Sequence, residues 1–258
     1  MNLLENVISN KREEVEKQKI TMPLEVLKRR KLPGIRDFRK SFEKGKISLI
    51  AEIKKMSPSG GSMRLDLELV KLAQIFERSG AKAISVLTDG RFFGGCIEDL
   101  IKVKKAISLP VLRKEFIIDE YQIFESRFLG ADAILLIARI LGDSQLERFL
   151  RIVEELGITC LVEVHSENEL ERVLRNEAPI IGINNRDLDT LGVDIGNSLR
   201  LKQMIPNGYI TISESGIKRR EDVLKLQGAG FDGMLVGEAL LKEKNIEAKV
   251  RELYGRSL

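Results

Sequence analysis

The stretch LGADAILLIA (residues 129–138) joins a helix-ending glycine to a short apolar run. Gly130 favours the left-handed backbone conformation at which many helices end. The run that follows, residues 133–138, has the length and apolar character of a buried strand. The segments SGAKA (79–83) and AGFDG (229–233) have the same form. We therefore interpret all three as the recurring turn of one repeated helix–strand unit.

Apolar runs of this kind recur along the chain, and amphipathic stretches with helix start signals separate them. Residues 143–157 have helical spacing and end at Gly157, while Ser166 and Glu169 have the spacing of a capping box. Strands that alternate with helices predict a parallel sheet, and eight such units in 258 residues favour a closed (β/α)8 TIM barrel. The eight runs are residues 47–54, 83–88, 109–114, 133–138, 159–164, 180–185, 209–215 and 233–238.

Residues 1–46 precede the first predicted strand and form a helical extension. Leu3, Leu4 and Val7 have helical spacing there. The extension would either plug the bottom of the barrel or cover the side on which the substrate binds. Since no linker rich in Pro or Ser divides the chain, we expect a single domain over residues 1–258.

Composition argues against several classes of function. The net charge of +4 is the small difference between 43 basic and 39 acidic residues, Trp is absent and there are only three Tyr, which disfavours nucleic-acid binding. No apolar run reaches the roughly 18 residues of a membrane span, and the N-terminal segment is too charged for a secretory signal. Cys96 and Cys160 lack metal-ligand spacing, so we expect a reduced, cytoplasmic chain.

Polar residues gather where the predicted strands end, which is where TIM barrels place their active sites. Glu163 poses the sharpest question, because burying a carboxylate is costly unless a partner or the chemistry requires it. We expect it to face a shared cavity together with lysines. His165 is the only histidine, and we favour a structural role for it. The strand-end residues are Glu52, Lys54, Lys114, Glu163, Asn184, Glu214, Ser215 and Gly237.

An alternative is that the charged residues at the strand ends are simply exposed to solvent. Strands of a parallel sheet are apolar on both faces, so alternation does not decide which residues point inward. Arg113, Glu115 and Lys55, which neighbour the candidate lysines, could be the solvated residues instead.

Two glycine-containing loops indicate a phosphate site. Gly216 and Gly237 each follow a predicted strand and precede a helix, in the two loops that often bind phosphate in these barrels. The loop KKMSPSGG (54–61) adds Ser57 and Ser59 as further donors, although it also fits an ordinary Ser/Pro/Gly loop.

The motifs at these positions resemble those of the indole-3-glycerol phosphate synthase family, in family order, from about residue 47 to 242. The resemblance implies a TIM-barrel lyase of tryptophan biosynthesis that needs no metal or cofactor. Its reaction would close the ring of 1-(2-carboxyphenylamino)-1-deoxyribulose 5-phosphate, release carbon dioxide and eliminate water to give indole-3-glycerol phosphate. The matching stretches are AEIKKMSPS, LTDGRFFGG, LRKEFIID, ADAILLIARIL, LVEVHS, IGINNRDLDT, SESGI and VGEALL.

The resemblance also implies roles for individual residues. Lys114 would be the general acid, Glu163 the general base of dehydration, and Lys54 the group that holds the substrate carboxylate. Three further catalytic residues would orient the lysines or hydrogen-bond the substrate, and they are Glu52, Glu214 and Asn184. Residues implied to bind substrate are Ser57, Phe93, Phe116, Arg186, Ser215, Gly216 and Gly237.

Rival interpretations remain open at this point. Phosphoribosylanthranilate isomerase would need a cysteine near the first strand, and the tryptophan synthase α subunit lacks the paired lysines. In a non-catalytic or differently specific phosphate-binding barrel, Lys54, Lys114 and Glu163 would be independently replaceable charges. The expected partner is a small phosphorylated substrate, with no nucleic acid and no membrane, and the chain would be a monomer or weak homodimer.

Overall fold

The computed structural model describes residues 3–43, 45–57, 61–62 and 68–255. In this part of the chain, eight parallel strands close into a barrel, each paired with its neighbours in sequence order. The predicted (β/α)8 fold is therefore confirmed. The strands are β1 (Ser48–Ile53), β2 (Ala83–Leu87), β3 (Val111–Lys114), β4 (Ala133–Ile137), β5 (Thr159–Val164), β6 (Ile180–Asn184), β7 (Ile210–Glu214) and β8 (Gly233–Val236).

Helices surround the barrel and follow its strands. Short 3₁₀ turns cover Arg39–Ser41 and Ala138–Ile140, and Met56–Ser57 pairs antiparallel with Gly61–Ser62. The helices are α1 (Leu3–Thr21), α2 (Leu24–Lys28), α3 (Leu69–Arg78), α4 (Gly90–Phe93), α5 (Ile97–Ala106), α6 (Glu120–Leu129), α7 (Asp143–Glu155), α8 (Glu167–Arg175), α9 (Gly196–Lys202), α10 (Arg220–Gly228), α11 (Glu238–Leu241) and α12 (Ile246–Tyr254).

The recurring turn predicted from the sequence is present. Gly80, Gly130 and Gly230 have φ angles of 99°, 87° and 79°, the left-handed region that favours glycine. Two residues after Gly130, the amide of Asp132 donates to the carbonyl of Val111 at 2.9 Å. That bond begins the parallel pairing of a new strand with its predecessor, so the turn sets the register of each unit.

Alternation along the strands creates two cores, because successive side chains point to opposite faces. Ile50, Leu112, Leu135, Leu161 and Ile212 point inward and fill the barrel. The outward-facing residues pack beneath the helices in a larger second core. Apolar residues therefore occupy both faces of the strands, and polar residues are left to the carboxyl ends.

The segment before β1 performs both of the functions considered for it. Leu3, Leu4 and Val7 of α1 line the cavity at the carboxyl ends of the strands. Phe38 is fully buried in the core inside the barrel, and Phe42 packs edge-on against it, with ring centroids 5.4 Å apart. These rings occupy the opposite end of the barrel, near the start of β8.

Among the helices described, none combines the length and apolar character that crossing a bilayer requires. The assignment of residues 1–258 to one domain stays a prediction.

Candidate active site

A cavity of about 620 Å³ opens at the carboxyl ends of the strands, beneath α1. Of the thirteen residues predicted to act or bind there, eleven line it: Glu52, Lys54, Phe93, Lys114, Phe116, Glu163, Asn184, Arg186, Ser215, Gly216 and Gly237. Glu214 is fully buried and reaches the site through its contact with Lys114. The side chain of Ser57 and all of Ser59 lie outside the described residues.

A chain of alternating charges lies at the centre of this cavity. The ammonium of Lys114 lies 3.0 Å from Glu52 Oε2 and 3.1 Å from Glu214 Oε2, while Lys54 lies 2.7 Å from Glu52 Oε1. Three strand ends, those of β1, β3 and β7, supply these groups, so the barrel closure brings together residues far apart in sequence. Lys54 and Lys114 both pair with the carboxylate of Glu52, so their ammonium groups are held side by side at the cavity.

The pKa values of these groups reflect their pairing. Burial alone would lower the pKa of Lys114, but the carboxylates of Glu52 and Glu214 raise it well above its ordinary value. Burial would raise the pKa of Glu52, yet the two lysines lower it to about 2. Both groups are therefore charged at neutral pH, and Lys114 presents a cation that lines the cavity.

Glu163 has the opposite character. Only 4% of it is exposed. Burial raises the pKa of Glu163 to about 8, with a further contribution from the Glu214 carboxylate, and Lys114 and Asn184 oppose the rise. A group that titrates near the operating pH can both release and accept a proton, which is what acid–base catalysis requires.

Two glycines make room for the carboxylates. A Cβ atom at Gly182 on β6 would lie 2.3 Å from Glu214 Oε1, and one at Gly237 would lie 2.6 Å from Glu52 Oε1. Gly237 was predicted to lie at a phosphate site, whereas no role was predicted for Gly182. The glycine inside the apolar run IIGIN was the available signal, because a strand glycine often marks a close approach.

The turn after β7 has an unusual backbone. Ser215 and Gly216 have φ angles of 65° and 81°, and a left-handed serine costs energy that its surroundings must offset. Asn185 provides this support: its side-chain amide donates to the Ser215 carbonyl at 2.9 Å and to Ser213 Oγ at 3.0 Å. Its carbonyl oxygen accepts from the amide of Ser198. No role was predicted for Asn185 from the sequence, although it follows Asn184 directly.

Arg186 and two further lysines bring positive charge to the same side of the cavity. Arg186 donates to the Leu191 carbonyl at 3.0 Å and lies 3.6 Å from Glu238. Lys218 and Lys242, which the sequence analysis did not select, also line the cavity. Their positions just after the two glycine turns were the available signal.

The aromatic residues Phe93 and Phe116 face each other at the opposite wall. Their ring centroids are 6.1 Å apart with the planes inclined by 38°. Both line the cavity, together with the leucines of α1. This end of the site is apolar, in contrast to the cationic end near Gly216 and Gly237.

The idea that Arg113 and Glu115 are solvated is wrong, whereas Lys55 is substantially exposed. Arg113 is 2% exposed and lies 2.8 Å from Glu125, beneath the helices. Strand β3 points Lys114 inward, so Arg113 points outward and is covered by the helix layer. Glu115 follows the end of β3, borders the cavity and is buried by its ion pair with Lys11 of α1 at 3.0 Å. They form a buried ionic network and not a surface.

His165 links the end of β5 to the end of β6. Its Nδ1 lies 2.8 Å from the backbone oxygen of Asn184, and Nε2 lies 3.5 Å from Asp187. These contacts fit the structural role predicted for it. Within the described ranges, no three His, Cys, Asp or Glu side chains converge as the ligands of a metal would.

Lysines and glutamates gathered at the carboxyl ends of a (β/α)8 barrel define this protein as a barrel enzyme of the acid–base class. Comparison with known proteins narrows the class. Residues 4–253 match the model of the indole-3-glycerol phosphate synthase family, and the chain belongs to that family.

Similar proteins cover nearly the whole chain, and each bears the name indole-3-glycerol phosphate synthase. The protein from Caldanaerobacter subterraneus subsp. tengcongensis is 47% identical over 255 residues, covering 98% of this chain and 99% of its own. That from Acetivibrio thermocellus is 45% identical over 255 residues, covering 97% and 98%. That from Legionella pneumophila strain Paris is 45% identical over 253 residues, covering 98% of both.

Proposed function

We propose that this chain converts 1-(2-carboxyphenylamino)-1-deoxyribulose 5-phosphate to indole-3-glycerol phosphate, carbon dioxide and water, in tryptophan biosynthesis. Family membership supports the reaction. The structural observation that carries the proposal is the Lys114 ammonium held between Glu52 and Glu214 beside the buried carboxyl of Glu163. No other arrangement in the described cavity supplies a fixed proton donor and a titrating carboxyl together.

The first step forms a carbon–carbon bond. The ring carbon that bears the carboxylate attacks the ketone carbon, and the electrons of the carbonyl move to its oxygen. Lys114 lies at the carboxyl end of β3 and lines the cavity, so it stabilises this charge and donates a proton to the oxygen. Lys54 holds the substrate carboxylate, and Glu52 fixes the spacing of the two ammonium groups.

The remaining steps restore aromaticity. Breaking the carbon–carboxylate bond releases carbon dioxide and returns its electrons to the ring. The new hydroxyl then departs as water with a proton from one of the two lysines, and Glu163 removes a proton from the neighbouring carbon. A pKa of about 8 suits Glu163 to this exchange. Asn184 holds Glu163 by a hydrogen bond and keeps it toward the substrate.

The two ends of the cavity fit the two ends of this substrate. Backbone amides at Ser215 and Gly216, with Lys218 and Lys242 nearby, suit the phosphate. Phe93 and Phe116 suit the aromatic ring at the apolar wall. A molecule anchored at both ends places its ketone over Lys114.

Indole emission tests the proposal directly. The chain contains no Trp, so product fluorescence develops over a low protein background. We expect the signal to rise when protein and substrate are mixed, and Lys114→Ala to reduce the rate by about 10²–10⁴, the usual contribution of a general acid. A flat trace from the wild-type protein refutes the proposed reaction. An unchanged rate in Lys114→Ala refutes the role given to Lys114.

We further propose that the enzyme works in the cytoplasm as a monomer or weak homodimer. Cys96 and Cys160 are both free thiols, which supports a reducing compartment. Light scattering across a concentration series measures the oligomeric state.

A further inference from the structure

Helix α1 carries a buried lysine that the proposed reaction does not use. Lys11 is 3% exposed, and its ammonium lies 2.6 Å from Glu14, 3.0 Å from Asp89 and 3.0 Å from Glu115. Burial alone would lower the pKa of Lys11, but Glu115 and Asp89 raise it well above the ordinary value. A buried ammonium is tolerated only when paired in this way, so its position is closely specified.

Asp89 and Glu115, the two barrel residues that pair with Lys11, each fix the backbone beside one aromatic ring of the cavity. The rings of Phe93 and Phe116, together with the α1 residues that line the cavity, are called the aromatic wall below. Asp89 accepts a hydrogen bond from the amide of Phe92 at 2.8 Å and thereby caps α4, which ends at Phe93. Glu115 accepts from the amide of Phe116 at 2.9 Å. Its second oxygen accepts from the hydroxyl of Thr88 at 2.7 Å, which ties the loops after β2 and β3 together.

Lys11 also fixes the third component of the wall. Val7 lies one helical turn earlier on the same face of α1, and Leu3 lies a further turn away. Both line the cavity, with Leu4 beside them. One ammonium therefore joins the helix that covers the apolar end of the cavity to the two loops that carry its aromatic rings.

We propose that Lys11 is a positioning residue that assembles the aromatic wall from α1, Phe93 and Phe116, and so sets affinity for the aromatic end of the ligand. The ligand class is an aromatic carboxylate. The inference rests on the proposed function for the identity of the full substrate. Its geometric basis, the three-way ion pair, is independent of which reaction takes place.

The test replaces Lys11 by methionine, which keeps a side chain of similar length and removes the positive charge. Lys19→Met is the matched control, because Lys19 lies on the same helix, about two turns further along, and also binds it to the barrel through Asp119 at 2.8 Å. Affinity for 2-aminobenzoate, followed by its own fluorescence, reports the aromatic end. Competition by inorganic phosphate against substrate reports the other end.

We expect Lys11→Met to weaken 2-aminobenzoate binding and to raise the substrate KM, each at least about tenfold, with kcat within about threefold of wild type. Lys19→Met should stay within about twofold of wild type on every readout. The inhibition constant of inorganic phosphate should be the same in all three proteins.

Equal 2-aminobenzoate affinity in wild type and Lys11→Met overturns the inference, and so does a parallel loss of phosphate inhibition, which indicates general disorder. If Lys11→Met does not fold, Asp89→Asn replaces it, because it keeps the helix cap and loses the ion pair; an unchanged 2-aminobenzoate affinity there also overturns the inference. Absence of turnover by the wild type, with 2-aminobenzoate still bound and the binding weakened by Lys11→Met, refutes the proposed function alone.

Discussion

Replacing Glu163 by glutamine should stabilise the protein at neutral and alkaline pH. The carboxyl is buried and has a pKa raised from an ordinary 4.5 to about 8. The folded protein therefore keeps this proton over a pH range in which the unfolded chain has released it. Stability falls as pH rises between these two values, since the unfolded state then binds fewer protons than the native state.

The magnitude follows from the size of the shift. Each pH unit between 4.5 and about 8 costs about 1.4 kcal/mol of unfolding free energy. The accumulated cost is small at pH 4.5, about 3 kcal/mol at pH 7 and about 5 kcal/mol at pH 9. Glutamine has nearly the same shape and carries no charge at any of these pH values, so the variant should escape this cost while losing the dehydration base.

Urea denaturation of both proteins at pH 5, 7 and 9 measures the effect. The difference in unfolding free energy between Glu163→Gln and wild type should grow with pH, from about 1 kcal/mol at pH 5 to about 5 kcal/mol at pH 9. Titrating groups that do not interact with Glu163 are common to both proteins and cancel in the difference. Glu171→Gln is the control, because Glu171 is an exposed carboxylate on α8, and its difference from wild type gives the baseline for losing one surface glutamate.

A pH-independent difference for Glu163→Gln would show that the carboxyl is not held protonated by the fold. A variant less stable than wild type at pH 9 would show that the buried charge is fully compensated. Either result contradicts the reasoning. The expected result, greater stability with lost turnover, is the trade-off common at catalytic groups.

Two other substitutions test how the site is supported. Gly182→Ala should displace Glu214, whose oxygen would lie 2.3 Å from the new Cβ, and reduce turnover by about 10²-fold. Gly228→Ala is the control, because the space around Gly228 is open, and it should leave turnover unchanged. Equal rates in the two variants would contradict this expectation. Asn185→Asp should raise the substrate KM about tenfold or more, because a carboxylate oxygen would then face the Ser215 carbonyl that the amide now holds. Steady-state kinetics measure this change, and an unchanged KM would show that the turn does not contribute to phosphate binding.

Local patterns in the sequence determined the architecture. The glycine turns, such as the one at Gly130, specify where helices end, and the capping pair Ser166 and Glu169 forms as its spacing predicts. These signals involve residues close in the chain, whose geometry depends little on the rest of the molecule. The strand-end positions of Lys114 and Glu163 followed from the same patterns.

Tertiary structure alone decided which polar residues face the cavity. Apolar residues cover both faces of these strands, so the sequence left the orientation of Arg113, Lys114 and Glu115 undetermined. Closure of the barrel points Lys114 toward Glu52 and Glu214, the helix layer buries Arg113, and the N-terminal helix α1 covers Glu115 through Lys11.

The remaining features depend on contacts between distant segments. The approach of Gly182 to Glu214, the support of Ser215 by Asn185, and the ion pairs of Lys11 each join different units of the barrel or its extension. No local signal encodes such distances. The sequence by itself thus determined the repeated unit and the kinds of chemical group at the strand ends, because both depend on local geometry. The packing of eight units and one helix around a common axis decided the pairing of those groups and the pKa values that result from it.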